Sequence, residues 1–313
     1  MIMLLTEEER CAAIQAGCAV VTQADAGYPA PLRQIYDPPS MLYMKGRWSE
    51  HDRIAVAIVG SRQASRYGEQ TAGHLAYELA LRGVTVVSGL ARGIDAAAHW
   101  GALKAAGRTL AVLGNGLSSI YPPEHRELAE AVAQHGAVIS EYPMRMAPFA
   151  QNFPRRNRLI SGLSLGVVVV EASAKSGALI TADQALEQGR EVFAVPGKVD
   201  SWTSEGTHQL LKQGAKLVTC VEDILEELRL RPCEAAVETS PAAASAARTR
   251  SCAGMTTEER LIVEHLSADE PRDIDELVAT TGLPASACAA TLLGLEVKRL
   301  VTQLPGKRFV TRD

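Results

Sequence analysis

Between residues 54 and 230 the chain alternates short, continuously apolar runs with longer segments of helical period. Apolar runs without alternation are typical of strands that helices cover on both faces, and the intervening segments are long enough for crossover helices. This pattern predicts a doubly wound α/β domain with a mostly parallel sheet. The predicted strands are IAVAIV (54–59), VTVVS (84–88), TLAVL (109–113), AVIS (137–140), GVVVVE (166–171), EVFAV (191–195) and KLVT (216–219).

Three further segments flank this domain. Residues 1–53 contain one predicted helix, TEEERCAAIQAG, and a turn-rich stretch, and we expect this N-terminal extension to pack on the core of residues 54–230. Residues 231–255 lose hydrophobic periodicity and are rich in Ala, Ser and Thr, which predicts a flexible linker. Residues 256–313 predict a small winged-helix domain, because helix patterns over 256–266, 274–281 and 284–295 precede two short strands joined by Pro305 and Gly306.

The predicted winged-helix domain is acidic, with 7 Lys and Arg against 10 Asp and Glu over residues 257–313. Its predicted recognition helix, PASACAATLLGLEVKR, is mostly Ala and Leu, whereas duplex recognition commonly uses Arg, Lys, Asn or Gln side chains. We therefore favour a protein contact or a regulatory role for this domain over sequence-specific duplex binding.

Composition and charge narrow the class of protein. A hydrophobic content of 47% with 22% charged residues is ordinary for a globular chain and excludes disordered or collagen-like classes. The net charge of -4 excludes a globally basic nucleic-acid coat but not a local basic groove.

The sequence contains neither a membrane-span pattern nor a signal-peptide pattern. The longest apolar runs are shorter than the roughly 18 residues of a membrane span. Residues 7–9 are acidic, whereas a signal peptide begins with basic residues, so we expect a cytoplasmic protein without a membrane span. The six cysteines form no CxxC pair, and we expect neither a metal site nor a cofactor.

Loops after the predicted strands carry the candidate anion-binding groups, because ligands of doubly wound sheets bind at the carboxyl ends of the strands. Gly60, Ser61 and Arg62 follow the first strand of the domain, and Arg92 lies between glycines after the second. Exposed N–H groups and arginines can hold phosphate, although a turn whose arginine pairs with a carboxylate is the alternative. For the nearby His99 we favour a packed or capping side chain over a catalytic base, because no nucleophile is placed beside it.

The segment 152–158, NFPRRNR, is the densest basic feature of the chain. An aromatic side chain beside clustered arginines can stack a base while the arginines hold phosphates; alternatively, Phe153 lies in the core and the arginines face solvent or cap a helix. The loop after the predicted strand 166–171 offers a further cation, Lys175, just before a predicted helix whose N-terminus could bind an anion. These groups favour binding of an extended single-stranded polyanion over catalysis, and no catalytic residues are predicted. The candidate residues of the two segments are Phe153, Arg155, Arg156, Asn157, Arg158, Lys175, Ser176 and Gly177.

In order along the chain, these loops resemble the motifs of the DprA/Smf family of bacterial DNA-processing proteins. The resemblance covers about residues 28–230 and includes YPxxL and DPPxxLYxKG. The late hairpin sequence LPGKRFV is similar to that of the winged-helix domain that many members carry. The matching strings are VAIVGSRQAS, VVSGLARGIDAAAH, SEYP, NFPRRNRLISGLSLGVVVVEA, KSGALITADQALEQGREVFAVPG and EGTHQLLKQGA.

The resemblance implies a Rossmann-like core that binds single-stranded DNA, forms a homodimer and loads the RecA recombinase onto incoming strands in natural transformation. It implies no catalytic activity. By motif, residues 60–62 would hold DNA phosphates, Phe153 would stack a base, and residues 155–158 and 175–177 would line the pocket. Ala150 departs from the family pattern, since many members have a lysine three residues before this phenylalanine. The N-terminal segment is also shorter than the helical domain that some members place before YPxxL.

Two other functions fit parts of the sequence. A nucleotide-binding or nucleotide-hydrolysing enzyme related to phosphoribohydrolases would share the Rossmann-like architecture, although KSGALITADQA lacks the glutamate of their PGGxGTxxE motif. A winged-helix transcription regulator with an α/β ligand sensor would bind a duplex operator, and its recognition helix would need side chains such as Arg, Lys, Asn or Gln that contact bases.

For the expected homodimer, the helical segment from Thr207 to Leu230 is a candidate surface, because its apolar residues exceed the needs of one helix face. Those residues are Leu210, Leu211, Ile224, Leu225 and Leu228.

Overall fold

A computed structural model describes residues 6–230, 261–262, 265–266, 272–281, 283–297, 301–304 and 308–311. The chain divides into two compact units, Met1–Ala235 and Ala236–Asp313. The predicted linker (231–255) and most of the first predicted helix of the second unit (256–266) lie outside the described residues.

The first unit alternates strands and helices, as the sequence predicts. Its strands are β1 (Ala19–Thr22), β2 (Met41–Gly46), β3 (Ala55–Val59), β4 (Thr85–Ser88), β5 (Thr109–Val112), β6 (Ala137–Ser140), β7 (Gly166–Val169), β8 (Glu191–Ala194) and β9 (Lys216–Leu217). Its α-helices are α1 (Glu7–Gln15), α2 (Arg66–Leu81), α3 (Ile94–Lys104), α4 (Arg126–His135), α5 (Asn152–Gly162), α6 (Gly177–Glu187), α7 (Glu205–Lys212) and α8 (Val221–Glu227).

The strands form one nine-stranded sheet in the order β1-β2-β6-β5-β4-β3-β7-β8-β9. From β6 to β9 neighbouring strands run parallel, whereas β2 pairs antiparallel with both β1 and β6. The doubly wound, mostly parallel sheet is therefore confirmed, and all the predicted strands are present. The chain proceeds from β3 outward to β6 and then returns to place β7 on the other side of β3. This reversal is the topological switch point, where the loops after β3 and β7 separate and leave a crevice.

Burial on both faces explains the continuous apolar runs. In β3, Val56 and Ile58 belong to the cluster that packs against α2, α3 and α8. Ala55, Ala57 and Val59 belong to the cluster on the other face, which includes residues of α5 and α6. Strands β1 and β2 were missed in the sequence because turn residues surround them. The segment 19–46 thus extends the sheet at the β6 edge.

The second unit contains β10 (Arg272–Asp273), α9 (Ile274–Thr281), α10 (Ala285–Val297), β11 (Val301–Leu304) and β12 (Arg308–Thr311). Its strands form an antiparallel sheet in the order β10-β12-β11. Leu277, Leu292, Val301 and Phe309 contribute to a separate buried core. The second and third predicted helices and the hairpin are confirmed, which agrees with a winged helix.

The proposed dimer surface on the late helices is wrong for most of its side chains. Leu210, Ile224 and Leu225 are buried within the chain's own core. Leu211 and Leu228 pack against the same core clusters. All five apolar residues pack inside the unit, so they identify no interface. No helix among the described residues has the length and apolar character needed to cross a membrane.

His99 is a packed side chain, as the sequence favoured. It is fully buried on α3, and its Nδ1 lies 2.7 Å from Oγ1 of Thr109. The Thr109 hydroxyl donates to the carbonyl of Val86, so it accepts from His99 Nδ1–H. Burial lowers the pKa of His99 to about 3, with smaller contributions from the charges of His125 and Arg156.

This lowered pKa predicts a pH dependence of stability. Below the ordinary histidine pKa of about 6.5, the His99 imidazole is protonated in the unfolded chain but stays neutral in the folded chain. Protonation therefore stabilises the unfolded state, and the free energy of unfolding falls as pH is lowered from neutrality. We expect His99→Leu to reduce this fall by up to about 1.4 kcal/mol per pH unit below pH 6 in urea denaturation. His74→Leu, at an exposed position of α2, is the control. Identical slopes in wild type and His99→Leu would contradict the assignment.

Candidate functional site

An open cleft of about 680 Å³ lies at the switch point, where β3 and β7 end. Its walls come from the loops that follow each strand from β3 to β8 and from the first turns of α5 and α6. Helix N-termini carry partial positive charge, so this arrangement favours anions. The cleft brings together eight of the predicted residues, Gly60, Ser61, Arg62, Phe153, Arg156, Asn157, Ser176 and Gly177.

Glu171, just after β7, fixes the loop that follows β3. Its carbonyl accepts a 2.8 Å hydrogen bond from the Ser61 N–H. Its buried carboxylate accepts from the N–H of Ser65 at 2.8 Å and from the Ser65 hydroxyl at 2.5 Å. Gly60 is required beside it, because a Cβ there would lie 2.6 Å from Ile94 Cγ1 and 2.8 Å from the Glu171 carbonyl. The backbone before Arg62 is therefore held in one position.

Phe153 lies on the cleft wall, half-buried, and not in the core. Gly114 leaves room for one edge of the ring, since a Cβ there would lie 2.8 Å from Phe153 Cδ1. The guanidinium carbon of Arg62 lies 5.2 Å from the ring centroid, within the range of a cation–π contact. The ring of Tyr121 lies 5.7 Å away and is tilted by 39°. Arg62 is exposed and forms no ion pair with any residue that the structure describes.

Arg156 is buried at the back of the cleft and holds two strand ends together. It donates to the carbonyl of Gly89 at 2.9 Å and to the carbonyl of Val112, while its Nε donates to Asn157 Oδ1 at 3.1 Å. Burial lowers the pKa of Arg156 to about 10, although the nearby charge of Asp95 opposes this shift. The guanidinium is still charged at neutral pH and adds positive potential to the cleft.

Asp95, in the first turn of α3, is the buried counterpart of Arg156. Its carboxylate accepts from the N–H groups of Gly89 at 3.1 Å and Ala91 at 3.3 Å. Burial raises the pKa of Asp95, and the charge of Arg156 opposes this rise. These hydrogen bonds give Asp95 a role in fixing the loop that follows β4.

The remaining candidate residues do not line this cleft. Arg158 pairs with Glu141 at 2.6 Å and with Asp37 at 3.4 Å. Arg155 is 3.9 Å from the same Asp37 carboxylate. The segment of three arginines thus divides between the cleft and an acidic surface beside it, and DNA contacts of Arg155 and Arg158 stay predictions.

Arg92 and Lys175 lie beside the cleft. Arg92 forms an exposed ion pair with Glu124 at 2.5 Å and borders a small hollow that also touches Arg62 and Phe153. Lys175 is exposed on a depression of about 330 Å³ between α6 and α7. Each cation shares its hollow with a residue of the cleft, Arg92 with Arg62 and Lys175 with Ser176, and their binding roles stay predictions.

Several cleft residues were missed in the sequence. Tyr121, Trp202 and Gln63 line the cleft, and all are exposed. Position in a loop after a predicted strand was the available signal, because such loops converge at one edge of the sheet. Ala150 also lines the cleft, so a lysine at this position would reach the same space. Within the described ranges, no group of His, Cys, Asp and Glu side chains is arranged to hold a metal ion.

The fold and the cleft define a class of α/β proteins with a ligand-binding crevice at the switch point of a doubly wound sheet and a winged-helix unit in the same chain. Within this class the chain belongs to the DprA/Smf family, because residues 19–229 match the family model described as DNA recombination-mediator protein A. Residues 239–307 match a second model, the DprA winged helix domain. The resemblance drawn from the motifs is therefore confirmed.

Curated relatives agree with this assignment. Protein Smf of Escherichia coli is 53% identical over 203 residues, which cover 64% of this chain and 54% of that protein. DNA processing protein DprA of Bacillus subtilis is 48% identical over 202 residues, or 64% of this chain and 68% of that protein. Protein Smf of Synechocystis is 38% identical over 317 residues, which cover 93% of this chain and 80% of that protein. The chain thus spans about half the length of the E. coli relative.

Two solved structures share the fold. DNA processing protein A of Streptococcus pneumoniae matches with a TM-score of 0.64 at 42% identity, covering 67% of this chain and 74% of that one. DNA processing protein A of Helicobacter pylori, whose structure was described for its single-stranded DNA binding mode, matches with a TM-score of 0.61 at 30% identity. That match covers 68% of this chain and 95% of the H. pylori chain.

The role of Glu171 can be tested by Glu171→Gln. With its amide oxygen toward the Ser65 N–H, the glutamine turns its N–H₂ toward the Ser65 hydroxyl, which must then accept instead of donate, and both bonds lose the negative charge of their acceptor. We expect the free energy of unfolding in urea to fall by about 1–3 kcal/mol. Glu187→Gln, at an exposed position of α6, is the matched control and should stay near wild type. Equal stabilities of all three proteins would show that Glu171 does not fix the loop.

Proposed function

We propose that the cleft binds single-stranded DNA and that this protein is a recombination mediator that loads RecA onto incoming DNA in natural transformation. The observation that carries the proposal is the placement of the exposed Arg62 guanidinium against the Phe153 ring inside the cleft. Binding of single strands commonly combines such a backbone cation with an aromatic side chain that stacks a base. The likeness to the H. pylori protein described for its single-stranded DNA binding mode supports this proposal.

Phosphate groups have several partners in the cleft. Arg62 offers a planar guanidinium without an acidic partner among the residues that the structure describes. Ser176 caps the N-terminus of α6, where Gly177 follows with open space beside it. These groups recognise the sugar-phosphate backbone, which is the same for every sequence, so we expect little dependence on base sequence.

A single strand fits better than a duplex, because duplex bases already stack on one another and cannot offer a face to Phe153. Unpaired bases can turn toward an aromatic side chain and gain about 1–3 kcal/mol per stacked base. The winged-helix unit is acidic and its predicted recognition helix is mostly Ala and Leu, which does not favour duplex recognition. Its role as a protein contact or regulatory element is part of the proposal.

Arg62→Ala tests the phosphate contact. We expect weaker binding to labelled oligo-dT in fluorescence anisotropy, and a plot of log affinity against log salt that is less steep by about 0.7 for each lost phosphate contact. Arg53→Ala is the matched control, because Arg53 is exposed, pairs with Glu50 at 2.7 Å and precedes β3 at the opposite end of that strand. If Arg62→Ala keeps the affinity and salt slope of wild type, this cleft is not the DNA site.

Ala150→Lys tests whether the cleft accepts a further cation. Ala150 is exposed on the cleft wall, so a lysine would add a charge near the bound backbone. We expect tighter binding to oligo-dT and a salt slope steeper by about 0.7. Ala26→Lys adds the same charge at an exposed turn outside the cleft and should change neither quantity. An equal gain from both variants would show a general charge effect instead of a site.

The remaining parts of the proposal have separate tests. Light scattering on the full chain tests the homodimer, and RecA filament formation on oligonucleotides already coated by single-strand binding protein tests loading. The cytoplasmic location predicted from the sequence belongs to the same proposal. The alternative, a nucleotide-hydrolysing enzyme, predicts release of base and ribose phosphate from a nucleoside monophosphate, which chromatography detects. Such turnover, lost in Arg62→Ala, would favour the enzyme.

A further inference from the structure

We propose that Trp202 is a second base-stacking side chain, so that the bound strand crosses the cleft from Phe153 to Trp202. This inference rests on the proposed function and adds a contact to the same cleft. Trp202 lines the cleft with 54% of its surface exposed. The chain has three tryptophans. Trp48 is only 8% exposed, and Trp100, 51% exposed on α3, does not line the cleft.

The backbone around Trp202 is anchored. Trp202 opens a short 3₁₀ helix, Trp202–Ser204. The N–H of Ala172 donates to the Thr203 carbonyl at 2.8 Å, and the N–H of Gly206 donates to the Ala172 carbonyl at 2.8 Å. Because hydrogen bonds hold the chain directly after the indole, the ring is presented by an anchored segment. An aromatic surface that is already positioned costs less entropy when a base stacks on it.

The two rings belong to segments that lie near different strand ends. Phe153 packs against Gly114, which follows β5, whereas Trp202 lies in the segment that follows β8. Between β5 and β8 the sheet contains β4, β3 and β7. The ends of β5 and β8 are four strand spacings apart, or roughly 19 Å at about 4.8 Å per spacing. The bond to Ala172 draws the Trp202 segment from the end of β8 toward β7, so the two rings are closer together than this span.

The loops between these two strands carry the anion-binding groups. Residues 60–62 follow β3, and Ser176 and Gly177 follow β7. A strand that lies along this edge of the sheet would meet the Phe153 ring, then Arg62 and the N-terminus of α6, and then the indole. The cleft of about 680 Å³ is in the size range that encloses a ligand much larger than one base. The phenyl ring and the indole could each stack one base, while Arg62 and the N-terminus of α6 bind the phosphates between them. This arrangement fits at least two stacked bases.

Tryptophan fluorescence tests this directly. Oligo-dT of about ten nucleotides should quench the emission of wild type, and Trp202→Phe should remove most of the DNA-dependent quenching. Because a phenyl ring still stacks, Trp202→Phe should keep an affinity within about twofold of wild type. Trp202→Ala should weaken binding about 5- to 150-fold in anisotropy, the range of one lost base stack. Trp100→Phe is the control and should keep both the quenching and the affinity.

The outcomes separate this inference from the proposed function. If wild type binds oligo-dT while Trp202→Phe retains its quenching and Trp202→Ala retains its affinity, the second stacking contact is overturned and the DNA site stands. If wild type binds no oligo-dT at all, both proposals fall together. Circular dichroism of each variant shows whether it is folded, and the Trp202→Phe result decides the question if Trp202→Ala does not fold.

Discussion

The cleft depends on the buried carboxylate of Glu171. Its backbone carbonyl holds Ser61, its side chain holds Ser65, and its neighbour Ala172 holds the segment of Trp202. Two adjacent residues just after β7 thus connect the loop after β3 with the segment after β8. A buried carboxylate is stable only when donors surround it, so the loops that supply these donors are constrained together.

Arg156 has the corresponding role on the other side of the switch point. Its guanidinium links the ends of β4 and β5 through the carbonyls of Gly89 and Val112, and Asp95 supplies the nearby negative charge. Opposite charges at the back of the cleft therefore serve mainly to position its walls. Arg62 lines the same cleft with an exposed guanidinium, which a ligand can contact directly. The two arginines contribute differently, because one is buried and hydrogen-bonded and the other is exposed.

The sheet could be predicted from sequence because strands buried on both faces leave continuous apolar runs, as in β3 and β7. β1 and β2 could not, because they are short and lie between turn residues.

The arginine segment shows a second limit of prediction from sequence. In a helix with 3.6 residues per turn, Phe153, Arg156 and Asn157 share one face, while Arg155 and Arg158 point elsewhere. The sequence identified the segment, but only the helix phase separates the cleft residues from those that pair with Asp37 and Glu141. The position of Trp202 depends on contacts with Ala172, distant in sequence, which leave no local pattern.

The bond between Ser65 and Glu171 joins residues that are 106 positions apart. At the usual rate of protein synthesis, roughly 5–20 residues per second, the ribosome completes Glu171 roughly 5–20 s after Ser65. Throughout this interval β3 lacks its neighbour β7, and the arginine loop lacks the carboxylate that holds it. The crevice therefore forms only after more than half of the chain has been made, and a nascent chain that ends before residue 171 carries Arg62 without the binding geometry of the finished protein.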